Sequence, residues 1–317
     1  MIKRLILPIL GLSLITLAAL TYIGTEEGER PNALVPTMGG AQMWNDIKIA
    51  GGWRIQQHVG TGHCRLLDES NIRQAWGDLD ECKSAMDKRQ ARGEIDANKP
   101  EMVILVHGLA GYGWTFRTMK PELREAGFDA DLFNYASTRG SLSDHVAAFH
   151  IMMMNSLEGV EEVSFVAHSL GGLLLRQALA DEAQPWRSRI KVKGLIMIGT
   201  PNQGAVLADR FKDSSWFQAA FKGAGQDLTS GYARDIPAPA APYYLIAGQL
   251  DGEGNPLIPG PDDGMVAVSE VRIQPIDDLL ILEAGHAALT AEDEAIEKTQ
   301  RWLSSFPSGS LPLAGKK

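Results

Sequence analysis

The chain has 317 residues, 44% of them hydrophobic, and 30 basic against 39 acidic side chains give it a net charge of −9. That length suits one large domain or two small ones, and the hydrophobic share is ordinary for a globular protein. No block of Lys and Arg occurs, which argues against nucleic acid as a partner, because phosphate neutralisation needs clustered cations.

At the N-terminus, Lys3 and Arg4 precede Leu5 to Ile23, nineteen residues without a charge. A helix needs roughly 20 apolar residues to cross a bilayer, and a basic flank stays on the cytoplasmic side. Residues 1–24 therefore read as a membrane anchor or a signal segment. The long apolar run and the lack of a clear A-x-A site favour the uncleaved anchor over cleavage near Ala18-Ala19. The expected location is membrane-anchored with the rest of the chain outside the cytoplasm, on the periplasmic side. Secretion after cleavage is the alternative.

Residues 25–37 form a polar linker. Residues 38–100 are an N-terminal extension of unknown role, with Trp44, Trp53 and Trp76 among many charges and a helical reading over Asp68 to Gln90. The only two cysteines, Cys64 and Cys82, are eighteen positions apart. Outside the cytoplasm their simplest reading is one disulfide, stabilising by about 3 kcal/mol through loop closure, and the alternative is two unpaired thiols buried near a helix. His63 beside Cys64 does not complete a zinc pattern. No metal or cofactor is expected.

From Glu101 strands alternate with helices, the mark of a largely parallel sheet. Met102–Val106, Phe128–Tyr135, Val163–Ala167, Gly194–Ile198, Tyr243–Ala247 and Leu279–Leu282 read as strands. Pro121–Ala126 and Leu142–Leu157 read as helices, the Met152-Met153-Met154 run of the latter as core filler. Residues 202–241 interrupt the alternation. The α/β domain spans 101–306, and 307–317 are a tail.

The period changes within VSFVAHSLGGLLLRQAL, residues 163–179. Strand formers run to Ala167, and helical spacing begins at Gly171, carried by Leu173, Leu174, Gln177 and Ala178. Ser169 sits at the reversal between them, the geometry of a nucleophile elbow rather than of an ordinary helix N-cap. The usual pattern is G-x-S-x-G; here alanine, still small, takes the first place. A serine needs a base to take its proton, and the base needs an orienting carboxylate. Asp263 in Asp262-Asp263-Gly264-Met265-Val266 and His286, the only histidine after the serine, follow in the required order. Upstream, the strand 102–106 ends in His107-Gly108-Leu109. The backbone N–H groups of Leu109 and Leu170 are the expected oxyanion-hole donors. His107 and His168 read as structural hydrogen-bonding groups.

Residues 101–290 resemble an α/β-hydrolase of the bacterial lipase and esterase type. The matching pieces are VHGL (106–109), AHSLGG (167–172), GTPNQG (199–204), YYLIAG (243–248), DDGMV (262–266) and GH (285–286). The resemblance implies the α/β-hydrolase fold, a mostly parallel sheet flanked by helices, here preceded by the N-terminal transmembrane helix. It also implies hydrolysis of carboxylic esters, with Ser169 as nucleophile, Asp263 as acid and His286 as base. Phe211, Trp216, Phe217 and Phe221 fall where such lipases often carry a lid over an apolar pocket, so 202–241 is a lid-like insertion. Some relatives bind calcium through an aspartate shortly after the histidine; Ala287–Ala291 offers none. Asp251, three residues beyond a strand, is the runner-up acid, although Asp263 fits the lipase-like D-G-x-V better. A calcium loop at Asp251–Asn255 is too short of ligands. The expected partner is an ester or lipid substrate near a membrane. Two other readings stay open: acyl transfer with the same triad, and a catalytically silent hydrolase fold used as a binding module.

Overall fold

The structure is a computed structural model describing residues 32–307, apart from 157, 253, 276 and 277 and the side chains of 220 and 222. The expected anchor at 5–23, most of the linker and the tail from 308 lie outside the described residues. Among the described residues no helix is long and apolar enough to cross a membrane.

The first layer is an antiparallel sheet of four strands in chain order: β1 (Trp44–Ala50), β2 (Trp53–His58), β3 (Cys64–Leu67) and β4 (Arg73–Gly77). Helix α1 (Leu79–Ala91) follows. Its start is set by a reciprocal cap: the Asp78 carboxylate accepts the Glu81 N–H, and the Glu81 carboxylate accepts the Asp78 N–H, both at 2.8 Å. The helix expected over 68–90 is thus corrected, because its first part is a turn and the strand β4. The residues Arg73, Gln74 and Ala75 favour helix locally, but pairing with β3 and burial of Ala75 override that preference.

Helix α1 packs Cys82, Ala85 and Met86 onto Ile47, Ile55 and Leu66 of the sheet. Cys64 and Cys82 both lie in this core, and the structure has no bond between their sulfurs, in place of the expected disulfide. The Cys64 thiol donates to the Gly62 carbonyl at 3.7 Å. Burial, helped by the Asp78 charge, pushes its pKa up and disfavours the thiolate through which a thiol is oxidised.

The second layer is a six-stranded, wholly parallel sheet. Its strands are β5 (Glu101–Val106), β6 (Ala130–Phe133), β7 (Glu162–His168), β8 (Lys191–Ile198), β9 (Tyr243–Gly248) and β10 (Asp278–Leu282), in the order β10-β9-β8-β7-β5-β6. The central strands are continuous apolar runs because helices cover both faces. Helices α2 (Met119–Glu125) and α9 (Asp293–Ser305) cover one face, and α3 (Leu142–Ser156) and α4 (Leu170–Ala180) the other. After β6 the chain crosses back over β5 to form β7. The strand order reverses there, and in open α/β sheets ligands bind at the carboxyl ends of the strands beside such a reversal.

The 202–241 segment forms α5 (Val206–Phe211), α6 (Ser215–Gln226) and α7 (Ser230–Asp235). Arg176 of α4 ties both ends of this segment down. Its guanidinium donates to the Asn202 carbonyl (3.0 Å) and side chain (3.1 Å), to the Pro237 carbonyl (3.2 Å) and to the Ile236 carbonyl. Phe217 of α6 is buried against Phe211 and Phe221, while Trp216 is 57% exposed. The remaining short helix, α8 (Val268–Val271), precedes β10.

The two sheets meet along a polar seam. The Asp46 N–H donates to the Asn134 carbonyl (2.8 Å), and the Asp46 carboxylate accepts the Asn134 N–H (2.7 Å). Asn45 accepts from the Ala136 N–H (2.8 Å), and the Ile49 N–H donates to Ser156 Oγ (2.9 Å).

Candidate active site

Ser169 joins β7 to α4 with φ 54° and ψ −125°. This is a sparsely populated conformation for a side-chain-bearing residue, costing of order 1–3 kcal/mol. Its side chain makes no capping bond, so the hydroxyl is not spent on the helix. The Ser169 N–H donates to the Ile198 carbonyl at 2.8 Å, holding the turn at the end of β8. The neighbouring glycines let the turn close. A Cβ on Gly171 would stand 2.5 Å from the Val106 carbonyl, and one on Gly108 would stand 2.7 Å from Ser169 Cβ. Ala167, in the place usually held by glycine, is fully buried.

His286 follows β10, and its Nδ1–H donates to Asp263 Oδ2 at 2.7 Å. The Asp263 side chain is fully buried and that of His286 is 14% exposed. The other carboxylate oxygen of Asp263 accepts the N–H groups of Met265 (3.0 Å) and Val266 (2.7 Å). The His286 N–H donates to the Asp263 carbonyl at 2.9 Å. One oxygen is therefore fixed by the local turn while the other faces the imidazole. Asp251 lies exposed on the loop after β9 and is not brought to His286.

A ring nitrogen that meets a carbonyl must carry the proton, which fixes two further tautomers. His168 Nε2–H donates to the His286 carbonyl at 3.0 Å. His107 Nδ1–H donates to the Gly108 carbonyl (2.9 Å), while its Nε2 accepts the Tyr135 N–H (3.2 Å). Burial holds the pKa of His107 down to about 4 and that of His168 to about 3, so both rings are neutral at neutral pH. Their engaged nitrogens give them the structural place the sequence suggested. Among the described residues, the N–H groups of Leu109 and Leu170 donate to no protein acceptor. They stand on either side of the reversal between β5 and β7.

A family model for the alpha/beta hydrolase fold matches residues 101–230. Residues 101–230 thus carry the α/β-hydrolase fold. Among solved structures, the mature form of the Bacillus licheniformis lipase BlEst2 aligns at 20% identity and a TM-score of 0.54, over 66% of this chain and 93% of that one. Its propeptide form aligns at 20% identity and 0.54, over 69% of this chain and 53% of that one. A metagenomic carboxyl esterase aligns at 21% identity and 0.49, over 60% and 65%. At such identities the likeness is one of fold. No curated protein matches the chain.

A cleft of about 710 Å³ lies between Arg54 and Trp114, and one of about 340 Å³ near Lys99 and Lys193; neither is lined by Ser169, Asp263 or His286. The chemistry points instead to the carboxyl ends of β5, β7 and β8. Two contributors escaped the sequence reading. Tyr135 stacks on His107 (centroids 4.4 Å apart) and donates its hydroxyl to the His107 carbonyl at 2.8 Å. Gln42 reaches the loop that carries Leu109. The Gly39-Gly40 pair just before Gln42 hints at a tight turn, but no signal in the sequence pairs Gln42 with residue 111.

Proposed function

We propose that the chain is a serine carboxylic ester hydrolase of the lipase and esterase type. The observation that carries this reading is the His286–Asp263 hydrogen bond of 2.7 Å, made by a carboxylate whose second oxygen is held by two backbone amides. That bond keeps the proton on Nδ1 and leaves Nε2 to act as base. In the reaction, Ser169 Oγ bonds to the ester carbonyl carbon while His286 Nε2 takes the hydroxyl proton. The Leu109 and Leu170 N–H groups stabilise the oxyanion. The C–O bond to the alcohol then breaks, and His286 protonates the departing oxygen. Water, deprotonated by His286, attacks the acyl-enzyme and releases the acid and Ser169. The exposed Trp216 and the aromatic cluster beneath it support a lidded apolar acyl site in 202–241.

The deciding experiment is labelling with an alkyl fluorophosphonate. Ser169 should be modified, and Ser169→Ala should abolish labelling and lower ester hydrolysis by about 10³-fold or more. Labelling that persists in Ser169→Ala removes Ser169 from the mechanism. Labelling without hydrolysis, accompanied by transfer to an added alcohol, makes the chain an acyltransferase. No reaction of either kind makes it a binding module.

The same reading holds that Leu5 to Ile23 anchors the protein, with the catalytic domain on the far side of the membrane, on the evidence of the apolar length and basic flank. Membrane fractionation of spheroplasts with protease added from outside tests this. Soluble protein with a new N-terminus near Ala19 would favour cleavage, and protection from protease would overturn the topology.

A further inference from the structure

The loop bearing Leu109 is short of outside support. Within it, the Gly111 N–H donates to the Gly108 carbonyl (3.1 Å), and so does the adjoining His107 ring (2.9 Å). Ala110 sits at φ 56°, a left-handed conformation that strains a residue with a Cβ. Among the described residues a single hydrogen bond reaches Gly108–Tyr112 from a distant part of the chain. It runs from Gln42 Nε2 to the Gly111 carbonyl, at 2.8 Å and across 69 positions of sequence.

The same carboxamide holds a second loop. Gln42 Oε1 accepts the Thr138 N–H at 2.8 Å and the Ser137 hydroxyl at 3.2 Å, and Nε2 lies 3.1 Å from that hydroxyl. Ser137 is fully buried. Gln42 itself adopts φ 67°, two residues before β1. The strand is then fixed to Asn134 through Asp46. One amide from the turn before β1 therefore joins the loops that follow β5 and β6, next to an expected oxyanion donor.

We propose that Gln42 is a positioning residue for the oxyanion hole: its Nε2–H sets the Gly111 peptide and, through it, the direction of the Leu109 N–H. This rests on the ester-hydrolase reading above, and it gives residues 38–100 a part in the chemistry. An oxyanion donor acts only when it stands about 2.7–3.1 Å from the position the oxyanion will occupy. A displacement of about 1 Å can cost about 100-fold in rate.

The test uses full-length protein carrying Gln42→Ala or Gln42→Glu. The glutamate is nearly isosteric and keeps an acceptor for Thr138, but it turns a carboxylate oxygen toward the Gly111 carbonyl. Both variants should lower kcat on a p-nitrophenyl ester by roughly 10- to 100-fold with little change in KM. Hydrogen exchange of the 108–112 amides should speed up in both. Full kcat in both variants, or a loss confined to KM, overturns the proposal. Should Gln42→Ala fail to fold, Gln42→Glu carries the same test. Wild-type protein that neither hydrolyses the ester nor reacts with fluorophosphonate would defeat the hydrolase reading instead. Exchange at 108–112 would then decide alone, with unchanged protection in the variants refuting the role of Gln42.

Discussion

The rings of His168 and His286 lie 4.7 Å apart at 44°, and His168 Nε2–H donates to the His286 carbonyl at 3.0 Å. Burial keeps His168 neutral, so it supports the backbone of His286 rather than competing with it as a base. His168→Phe keeps a ring but loses the N–H, leaving a carbonyl unpaired at a cost of about 1–3 kcal/mol. Denaturant melts should show that loss, and kcat should fall with it. A variant of full kcat would show that His286 needs no such brace.

Asp263→Asn should lower kcat by several orders of magnitude, about 10⁴-fold where an equivalent aspartate has been replaced, because the amide favours the wrong imidazole tautomer. Asp251→Asn, altering an exposed loop, should leave kcat nearly unchanged. Steady-state kinetics of the pair decide between them, and the reverse ranking transfers the acid role to Asp251.

Gly171→Ala should destabilise the fold by about 1–3 kcal/mol, the usual range for overpacking, since its Cβ would meet the Val106 and His107 carbonyls at 2.5 and 2.6 Å. Ala167→Gly, restoring the commoner first residue of the elbow, should leave activity in place and cost about 0.5–1 kcal/mol in backbone entropy. Thermal unfolding with parallel ester assays checks both.

Acid should unfold the protein through its buried imidazoles. Burial lowers the pKa of His107 and His145 to about 4 and that of His168 to about 3, against an ordinary value near 6.5. Below 6.5 the unfolded chain takes up protons that the folded chain refuses. The stability from these groups is therefore complete above about pH 6.5 and drains away as pH falls toward 4 and then 3. Each adds at most about 1.4 kcal/mol per pH unit within that window. His145, whose Nε2 is buried without a partner, is the one to remove. Melting His145→Phe from pH 7 to 5 should give a shallower acid slope than wild type, and an equal slope would refute the assignment.

The parallel sheet and the elbow were legible because physics writes them locally. Strands buried on both faces are apolar throughout, and the switch to helical spacing after Ser169 marks the turn. The D-D-G-M-V run also carries its reason in its spacing, since Asp263 accepts from the amides two and three residues ahead. The N-terminal sheet was hidden for the opposite cause. Its buried positions include Asp46, Arg54 and Gln56, so no clean alternation of apolar and polar residues survives. The D-L-D-E at 78–81, a capping box, was the one local sign of where α1 begins. The Gln42 contact is purely tertiary and leaves no trace in composition or period.

The polar seam between the sheets has a consequence for cooperativity. Peeling the first sheet away would strip Asn134 of its Asp46 partners, the Ala136 N–H of Asn45 and the Ser156 hydroxyl of the Ile49 N–H. Each of these hydrogen bonds contributes about 0.5–1.5 kcal/mol net, and Ile49 of the first sheet is buried in the core of the second layer, so a half-unfolded state with only the parallel sheet intact is disfavoured. The described part of the chain should therefore melt as one unit, with calorimetric and van't Hoff enthalpies in agreement. A fragment trimmed to begin at Glu101 would forfeit that unity.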